Sequence, residues 1–192
     1  IKALAREHDF RPNVMARNLR IQKTGAIGVV IPLGHEVRQH ISDPFFITML
    51  GLLADELTER GYDLMLSRII PQDNDWLDKY VDSGRVDGAI VIGQSDQSRV
   101  LDAVAERYRP LVVWGSYDPA QIHCSVGSDN VAGGRMATAH LIEQGAKRLA
   151  FFGDIRGVEM LARLNGCKKA LSDAGLPAPD VVPIQLTRED AR

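Results

Sequence analysis

Residues 26–32, Ala26-Ile27-Gly28-Val29-Val30-Ile31-Pro32, decide the fold of this chain. The run is apolar without alternation, and a strand with no polar face is expected to be buried on both sides. Strands of this kind belong to parallel sheets whose two faces are covered by helices. The stretch therefore predicts an α/β protein built on a central parallel sheet.

Strands and helices alternate along the chain after this run. Ile47, Leu50, Ala54 and Leu57 recur at helical spacing, and this helix should end near Gly61. Further strands are predicted at 62–66, 86–92, 111–115, 124–128 and 149–153, with helices near 74–83, 97–107, 130–144 and 158–174. The alternation indicates a doubly wound parallel sheet, which binds ligands beyond the carboxyl ends of its strands.

Composition and charge narrow the class of protein. The 192 residues are 45% hydrophobic and 25% charged, as in folded proteins of one large or two small domains. No apolar run approaches the roughly 18 residues of a membrane span, and no signal peptide is recognisable, so no membrane partner and a cytoplasmic location are expected. Cys124 and Cys167 leave a disulfide open, although two reduced thiols suit that compartment better.

The net charge of −2 hides a basic start. Residues 1–24 hold six Lys or Arg against two acids, a local charge of +4 that leaves −6 for the rest. A basic arm on an acidic body suggests contact with a polyanion, although a solvated helix would also explain it. Ile1–Asp9 is predicted to be the end of a helix, and Asn13 can cap a second short helix that runs to Leu19.

Catalytic and metal-binding motifs are not found. Neither glycine-rich phosphate loop is present, and no G-x-S-x-G turn occurs. His35 and His40 stand five residues apart, about 140° around a helix, so they could not share a zinc ion. Asp73-Asn74-Asp75 lacks the glycine and the final glutamate of a calcium loop. We therefore expect no enzyme, no metal and no cofactor.

An ordered set of segments resembles the lactose-repressor (LacI/GalR) family of transcription regulators. The set begins with Phe10-Arg11-Pro12-Asn13-Val14-Met15-Ala16-Arg17-Asn18-Leu19-Arg20 and Thr24-Gly25 before the first strand. It continues through Asp43-Pro44-Phe45-Phe46, Val86-Asp87-Gly88, residues 128–134 and residues 163–166, so it covers essentially the whole chain. The loop at 33–42 is longer than is usual in the family, and Gly115-Ser116 replaces a frequent Asp-Arg pair, so the effector cannot be taken over from a relative.

The resemblance implies a periplasmic-binding-protein-like (type I) clamshell of two doubly wound parallel-sheet subdomains, preceded by a DNA hinge helix. It implies the end of the headpiece plus hinge and linker at 1–25, an N-terminal effector-binding subdomain at 26–142, and the start of an incomplete C-terminal subdomain at 143–192. Because family members open with a helix-turn-helix and continue beyond the position of Arg192, it also implies a fragment.

The resemblance assigns DNA contacts to the hinge. In the family the segment that matches 13–20 folds in the minor groove, where the residue that matches Leu19 wedges between base pairs. Flanking arginines can neutralise phosphates. The alternative is a linker helix with Leu19 packed on the core. The predicted DNA-binding residues are Asn13, Ala16, Arg17, Leu19 and Arg20.

The resemblance also predicts residues that bind an effector, which we expect to be a sugar. Phe45 and Phe46 offer aromatic faces to a sugar ring, although packing would explain either of them. Asp129 matches a carboxylate that faces the cleft, with N-capping as an equal alternative. Arg163 could grip two ligand oxygens, with a surface salt bridge as its alternative. Weaker candidates at strand ends are Gln94, Ser116, Tyr117 and Asp154.

These features together predict a sugar-responsive DNA-binding regulator, acting as a repressor. In a homodimer, the two subdomains of each subunit would close on the effector in the cleft between them. Closure would change the separation of the two hinge helices, so that effector affinity and operator affinity are linked. Pairing of dimers into tetramers is left open. The alternative is a periplasmic-type sugar-binding transport protein, which shares the clamshell but has no use for a basic hinge.

Overall fold

The computed structural model describes residues 18, 20, 23–32, 41–94 and 97–184. The apolar run that decides the fold is strand β1 (Ala26–Pro32), in which Val29, Val30 and Ile31 are at most 1% exposed. It pairs in parallel with β2 (Asp63–Ile69) on one side and with β3 (Gly88–Ile92) on the other. Its position inside a covered sheet explains why it has no polar face.

The sheet is five-stranded and parallel throughout. Strands β4 (Leu111–Trp114) and β5 (Cys124–Val126) extend it beyond β3, which gives the order β2-β1-β3-β4-β5. Helices α1 (Pro44–Glu59), α2 (Trp76–Val81) and α3 (Ser98–Ala105) connect successive strands. The predicted doubly wound α/β fold is confirmed.

The two faces of the sheet carry separate cores because side chains alternate along a strand. Val29 and Ile31 of β1 pack with Phe46 of α1 on one face. Val30 packs on the other face with the buried side chains of α2 and α3, among them Leu77 and Leu101. The helices thus fix the sheet from both sides and leave its carboxyl edge free for loops.

Local chemistry explains where α1 begins. The Asp43 side chain accepts a hydrogen bond of 2.9 Å from the backbone nitrogen of Phe45, and Pro44 occupies the first turn. Both are favourable at a helix start, because the first amides have no partner within the helix and proline has none to satisfy. The helix therefore starts at Pro44, three residues before the first position of the apolar pattern.

Residues 130–182, which follow β5, form a second and smaller layer of the structure. Helices α4 (Asn130–Glu143) and α5 (Val158–Asp173) lie with the parallel pair β6 (Ala150–Phe152) and β7 (Asp180–Val182). The chain was not expected to form β7, because three extended residues between prolines give no periodic signal.

Glycines allow α4 and α5 to cross closely. A Cβ atom on Gly134 would collide with the carbonyl group of Arg163, and one on Gly166 would collide with that of Val131. Because α4 packs against α5, it belongs with the elements that follow it. This packing favours a division of the chain near residues 127–129 rather than at 142. The division itself stays a proposal.

Several predictions concern the segment before β1 and the two cysteines. Asn18 and Arg20 are helical and Arg20 is exposed, whereas Asn13, Ala16, Arg17 and Leu19 lie outside the described residues. Cys124 is exposed, Cys167 is buried, and both are free thiols.

Within the described ranges, no helix has the length and apolar character that crossing a membrane requires.

Candidate functional site

A pocket of about 330 Å³ opens at the carboxyl edge of the five-stranded sheet. Gln94 lies two residues beyond β3, and Ser116 lies two residues beyond β4. The opposite wall comes from α4 and α5, including Leu161 and Ala162. The pocket therefore lies between the sheet and the second layer, at the place where doubly wound sheets bind their ligands.

Gln94 is a buried polar group of this pocket whose position is fixed by its neighbours. It is 3% exposed, and its side-chain Nε2 donates to the carbonyl oxygen of Ser116 at 2.9 Å. A Cβ atom on residue 115 would lie 2.7 Å from Cγ of Gln94, so glycine at that position makes room for the amide. The backbone nitrogen of Gln94 lies 3.4 Å from Oε1 of Glu159, which connects the end of β3 to α5.

His123 and Asp102 complete this part of the site, and the sequence had not indicated them. His123 is 4% exposed; its Nε2 lies 3.0 Å from Nε2 of Gln94 and its Nδ1 lies 2.7 Å from Oδ1 of Asp102. The only signal was a carboxylate among the apolar residues of α3, which is too common to single out.

The environment of Asp102 keeps it ionised. Burial raises its pKa, but hydrogen bonds from the backbone nitrogen of Ile122 at 2.8 Å and from the side chain and backbone of His123 outweigh burial. The pKa of Asp102 therefore lies below its ordinary value, and the ionised carboxylate accepts hydrogen bonds at neutral pH.

Phe45 and Phe46 have different environments. Phe46 is 7% exposed and packs with Val29, Ile31 and Ile92, which is the packing role that the sequence had left open. Phe45 is 44% exposed, with its ring 5.1 Å from that of Trp114 at the end of β4. Neither ring lines the 330 Å³ pocket. An effector contact of Phe45 stays a prediction.

Asp129 and Arg163 line an adjacent cavity of about 400 Å³ between α4, α5 and β6. Asp129 caps α4, because its Oδ1 accepts from the backbone nitrogen of Ala132 at 2.8 Å. Arg163 donates from Nε to Oδ1 of the buried Asn130 at 2.8 Å. Arg163 forms no ion pair with any of the described residues, so the alternative of a surface salt bridge gains no support.

The remaining candidates divide between the pocket and its surroundings. Tyr117 lines the 330 Å³ pocket and is 73% exposed. Asp154 is buried outside both cavities. Its carboxylate accepts a hydrogen bond of 3.0 Å from the backbone nitrogen of Arg156 and forms an ion pair with the guanidinium of the same residue. The structure thus brings Gln94, Ser116 and Tyr117 together and sets Asp129 and Arg163 beside them.

The lining of the 330 Å³ pocket is acidic. Asp102 and Asp118 belong to its lining, and the lining residues from the described part of the chain include no lysine or arginine. Among the described residues, no group of three histidine, cysteine, aspartate or glutamate side chains could hold a metal ion. The lining therefore offers hydrogen bonds and apolar contacts, with negative charge to one side.

Comparison with known proteins gives one consistent family. Residues 24–190 match the family described as periplasmic binding proteins and sugar binding domain of LacI family. The HTH-type transcriptional regulator RegA of Clostridium saccharobutylicum is 28% identical over 177 residues, which are 89% of this chain and 51% of that protein. The chain spans about half the length of the curated relatives it matches.

Solved structures agree on the fold. A LacI family transcriptional regulator from Mycobacterium smegmatis is 27% identical, with a TM-score of 0.68 over 86% of this chain and 58% of that one. A complex of the transcriptional regulator CelR with cellobiose is 23% identical, with a TM-score of 0.67 over 98% of this chain and 57% of that one, and shares the fold.

Proposed function

The chain belongs to the family of periplasmic binding proteins and LacI-family sugar-binding domains, and we propose that it forms the effector-binding part of a sugar-responsive transcription regulator that binds operator DNA. Support comes from relatives such as RegA, a transcriptional regulator, and from the basic segment at 1–24. The pocket between the two layers carries the proposal, because it is where a ligand would contact both at once.

The lining of this pocket suits a neutral sugar. Gln94, Ser116 and Tyr117 supply groups that can bond to hydroxyls, while Val158, Leu161 and Ala162 can contact the apolar C–H face of a sugar ring. A phosphorylated sugar would bring its charge near Asp118 with no described cation in the lining to balance it. The cellobiose held by CelR is a neutral sugar of the kind expected here.

The proposed mechanism joins this pocket to the DNA-binding segment. A sugar that contacts both layers would favour their closed arrangement, and closure would reposition the segment that enters β1. In a homodimer this would change the separation of the two hinges, whose DNA contacts we assign to Asn13, Ala16, Arg17, Leu19 and Arg20. Such a regulator would act in the cytoplasm, where its operator lies.

The test uses the full-length protein and a labelled fragment of the DNA upstream of its gene. Anisotropy is measured alone and with glucose, cellobiose, maltose and ribose, each compared with a phosphorylated sugar. We expect one neutral sugar to change operator affinity by about 5- to 150-fold, the usual range of allosteric coupling. A protein that binds a sugar but forms no specific DNA complex would instead support the transport-type alternative.

A further inference from the structure

The side-chain amide of Gln94 has a single orientation that satisfies its neighbours. The carbonyl oxygen of Ser116 can only accept, so the atom 2.9 Å from it must be the Nε2 donor. The same nitrogen lies 3.0 Å from Nε2 of His123 and donates its second hydrogen there. With both amide hydrogens used, the carbonyl oxygen of Gln94 is the group that remains for a ligand.

This orientation requires one tautomer of His123. A neutral imidazole accepts at Nε2 only when its proton is on Nδ1. Nδ1 lies 2.7 Å from the carboxylate of Asp102, which can only accept while it is ionised. Asp102 is itself held by the backbone nitrogens of Ile122 and His123 at 2.8 and 3.2 Å. The chain of bonds from α3 to the end of β3 is therefore directional.

We infer that Asp102 and His123 are positioning residues, which hold the amide of Gln94 so that it accepts, and does not donate, a hydrogen bond from the effector. The inference rests on the proposed function, because it needs a sugar in this pocket. Gln94 and His123 are 3% and 4% exposed, so bulk water competes little for their bonds. At this point the site selects a hydroxyl that donates and disfavours a group that only accepts.

The experiment uses the full-length protein and the deoxyfluoro derivatives of glucose, cellobiose, maltose and ribose, in which fluorine replaces one hydroxyl at a time. Dissociation constants are measured by calorimetry for the wild type, His123→Phe and Gln94→Leu. Lys79→Ala, which changes an exposed lysine outside the pocket, is the control. His123→Phe keeps a ring of similar size but removes the acceptor at Nε2.

In the wild type, replacement of the one hydroxyl that donates to Gln94 should weaken binding by about tenfold, the value of a buried hydrogen bond. In His123→Phe the amide keeps only its bond to the carbonyl oxygen of Ser116 and is free to turn, and in Gln94→Leu the acceptor is absent. In both variants the same replacement should therefore cost less than about twofold. The Lys79→Ala variant should keep the wild-type ratio. A merely structural role of His123 would weaken every derivative by the same factor, and an unchanged ratio in His123→Phe would overturn the inference while the proposed function stands.

A second measurement needs no sugar. Nitrogen-15 spectra of labelled histidine in the wild-type protein should show His123 with its proton on Nδ1, and a proton on Nε2 overturns the inference whatever the sugars do. If no sugar in the panel binds, the proposed function and selection by Gln94 both fail, and the spectra alone then decide whether the chain from Asp102 to Gln94 exists.

Discussion

At the scale of single residues, Asp87 joins the segment before β1 to the body of the protein. Its carboxylate accepts from the backbone nitrogen and the hydroxyl of Thr24 at 2.6 and 2.9 Å, and from the backbone nitrogen of Gly25 at 2.9 Å. The side chain of Asn18 in turn donates to the carbonyl oxygen of Thr24 at 3.1 Å. Among the described residues, these bonds connect the segment before β1 to the core.

The Asp87→Asn variant should lower the free energy of unfolding by about 1–2 kcal/mol at pH 7, because an amide accepts these bonds less strongly than a carboxylate. Burial raises the pKa of Asp87, but the bonds from Thr24 and Gly25 outweigh it and hold the pKa below the ordinary 3.8. The stabilisation is therefore present above pH 3.8 and is lost as pH falls through the lower pKa of the folded state.

Urea unfolding of the full-length protein from pH 7 down to pH 3 checks this expectation. The difference in the free energy of unfolding between wild type and Asp87→Asn should shrink as the pH falls below 3.8 toward the lower pKa of the folded state. Asp55→Asn, a change at an exposed carboxylate of α1, should behave as wild type throughout. A difference that stayed constant with pH would show that Asp87 contributes through something other than its charge.

Single residues also show how far sequence could go toward the site. Gln94 and Ser116 could be proposed because parallel strands end at a common edge, and a residue just past a strand lies there whatever the rest of the chain does. His123 and Asp102 could not, because their contact joins positions 21 apart. The end of α3, strand β4 and the loop after β4 lie between them, and no local pattern specifies how that loop returns to α3. Phe45 and Phe46 were adjacent in sequence, yet only packing separates the buried ring from the exposed one.

At the scale of elements, two neighbouring glycines of α4 should respond oppositely to the same change. Gly134 faces α5, where an added methyl group would collide with the backbone of Arg163, so Gly134→Ala must push the helices apart. Gly133 has nothing within 4 Å of its Cβ position. There alanine adds helix propensity without contact, which stabilises by about 0.5–1 kcal/mol.

Thermal unfolding of the two variants in the full-length protein is the measurement. We expect Gly133→Ala to raise the midpoint and Gly134→Ala to lower it, with a loss of about 1–3 kcal/mol, the usual cost of overpacking. Equal effects at both positions would mean that α4 and α5 do not cross as closely as the backbone indicates. This crossing could not be predicted, since a glycine in a helix pattern does not reveal which face it lies on relative to an unknown partner.

At the scale of the whole molecule, the order of strands and helices was predictable because each strand up to β6 is a short apolar or extended run between helical patterns. The grouping of these elements was not. Because β5 ends at Val126 and α4 starts at Asn130, the chain passes between the layers in three residues, without a long polar linker. A boundary of that length leaves no compositional signal, so the division at 142 and a division at 127–129 both stay proposals.

The uneven charge of the chain leads to the last prediction. If the basic segment 1–24 meets DNA while the acidic remainder meets a neutral sugar, the two binding events should respond differently to salt. Operator affinity should fall steeply between 50 and about 200 mM salt, since each phosphate contact releases a counterion, whereas sugar affinity should change little. Arg17→Ala and Arg20→Ala should each reduce the salt slope by about 1 per contact made.

The control is Lys147→Ala, which removes an exposed positive charge from the second layer rather than from the basic segment. It should leave the salt slope of operator binding and the affinity for sugar as they are in the wild type. Anisotropy at a series of salt concentrations gives the slopes, and calorimetry gives the sugar affinities. Equal slopes for Arg17→Ala, Arg20→Ala and Lys147→Ala would mean that DNA is held by the net charge of the surface and not by the basic segment. The proposed coupling between the pocket and the hinge would then lack the DNA contacts on which it acts.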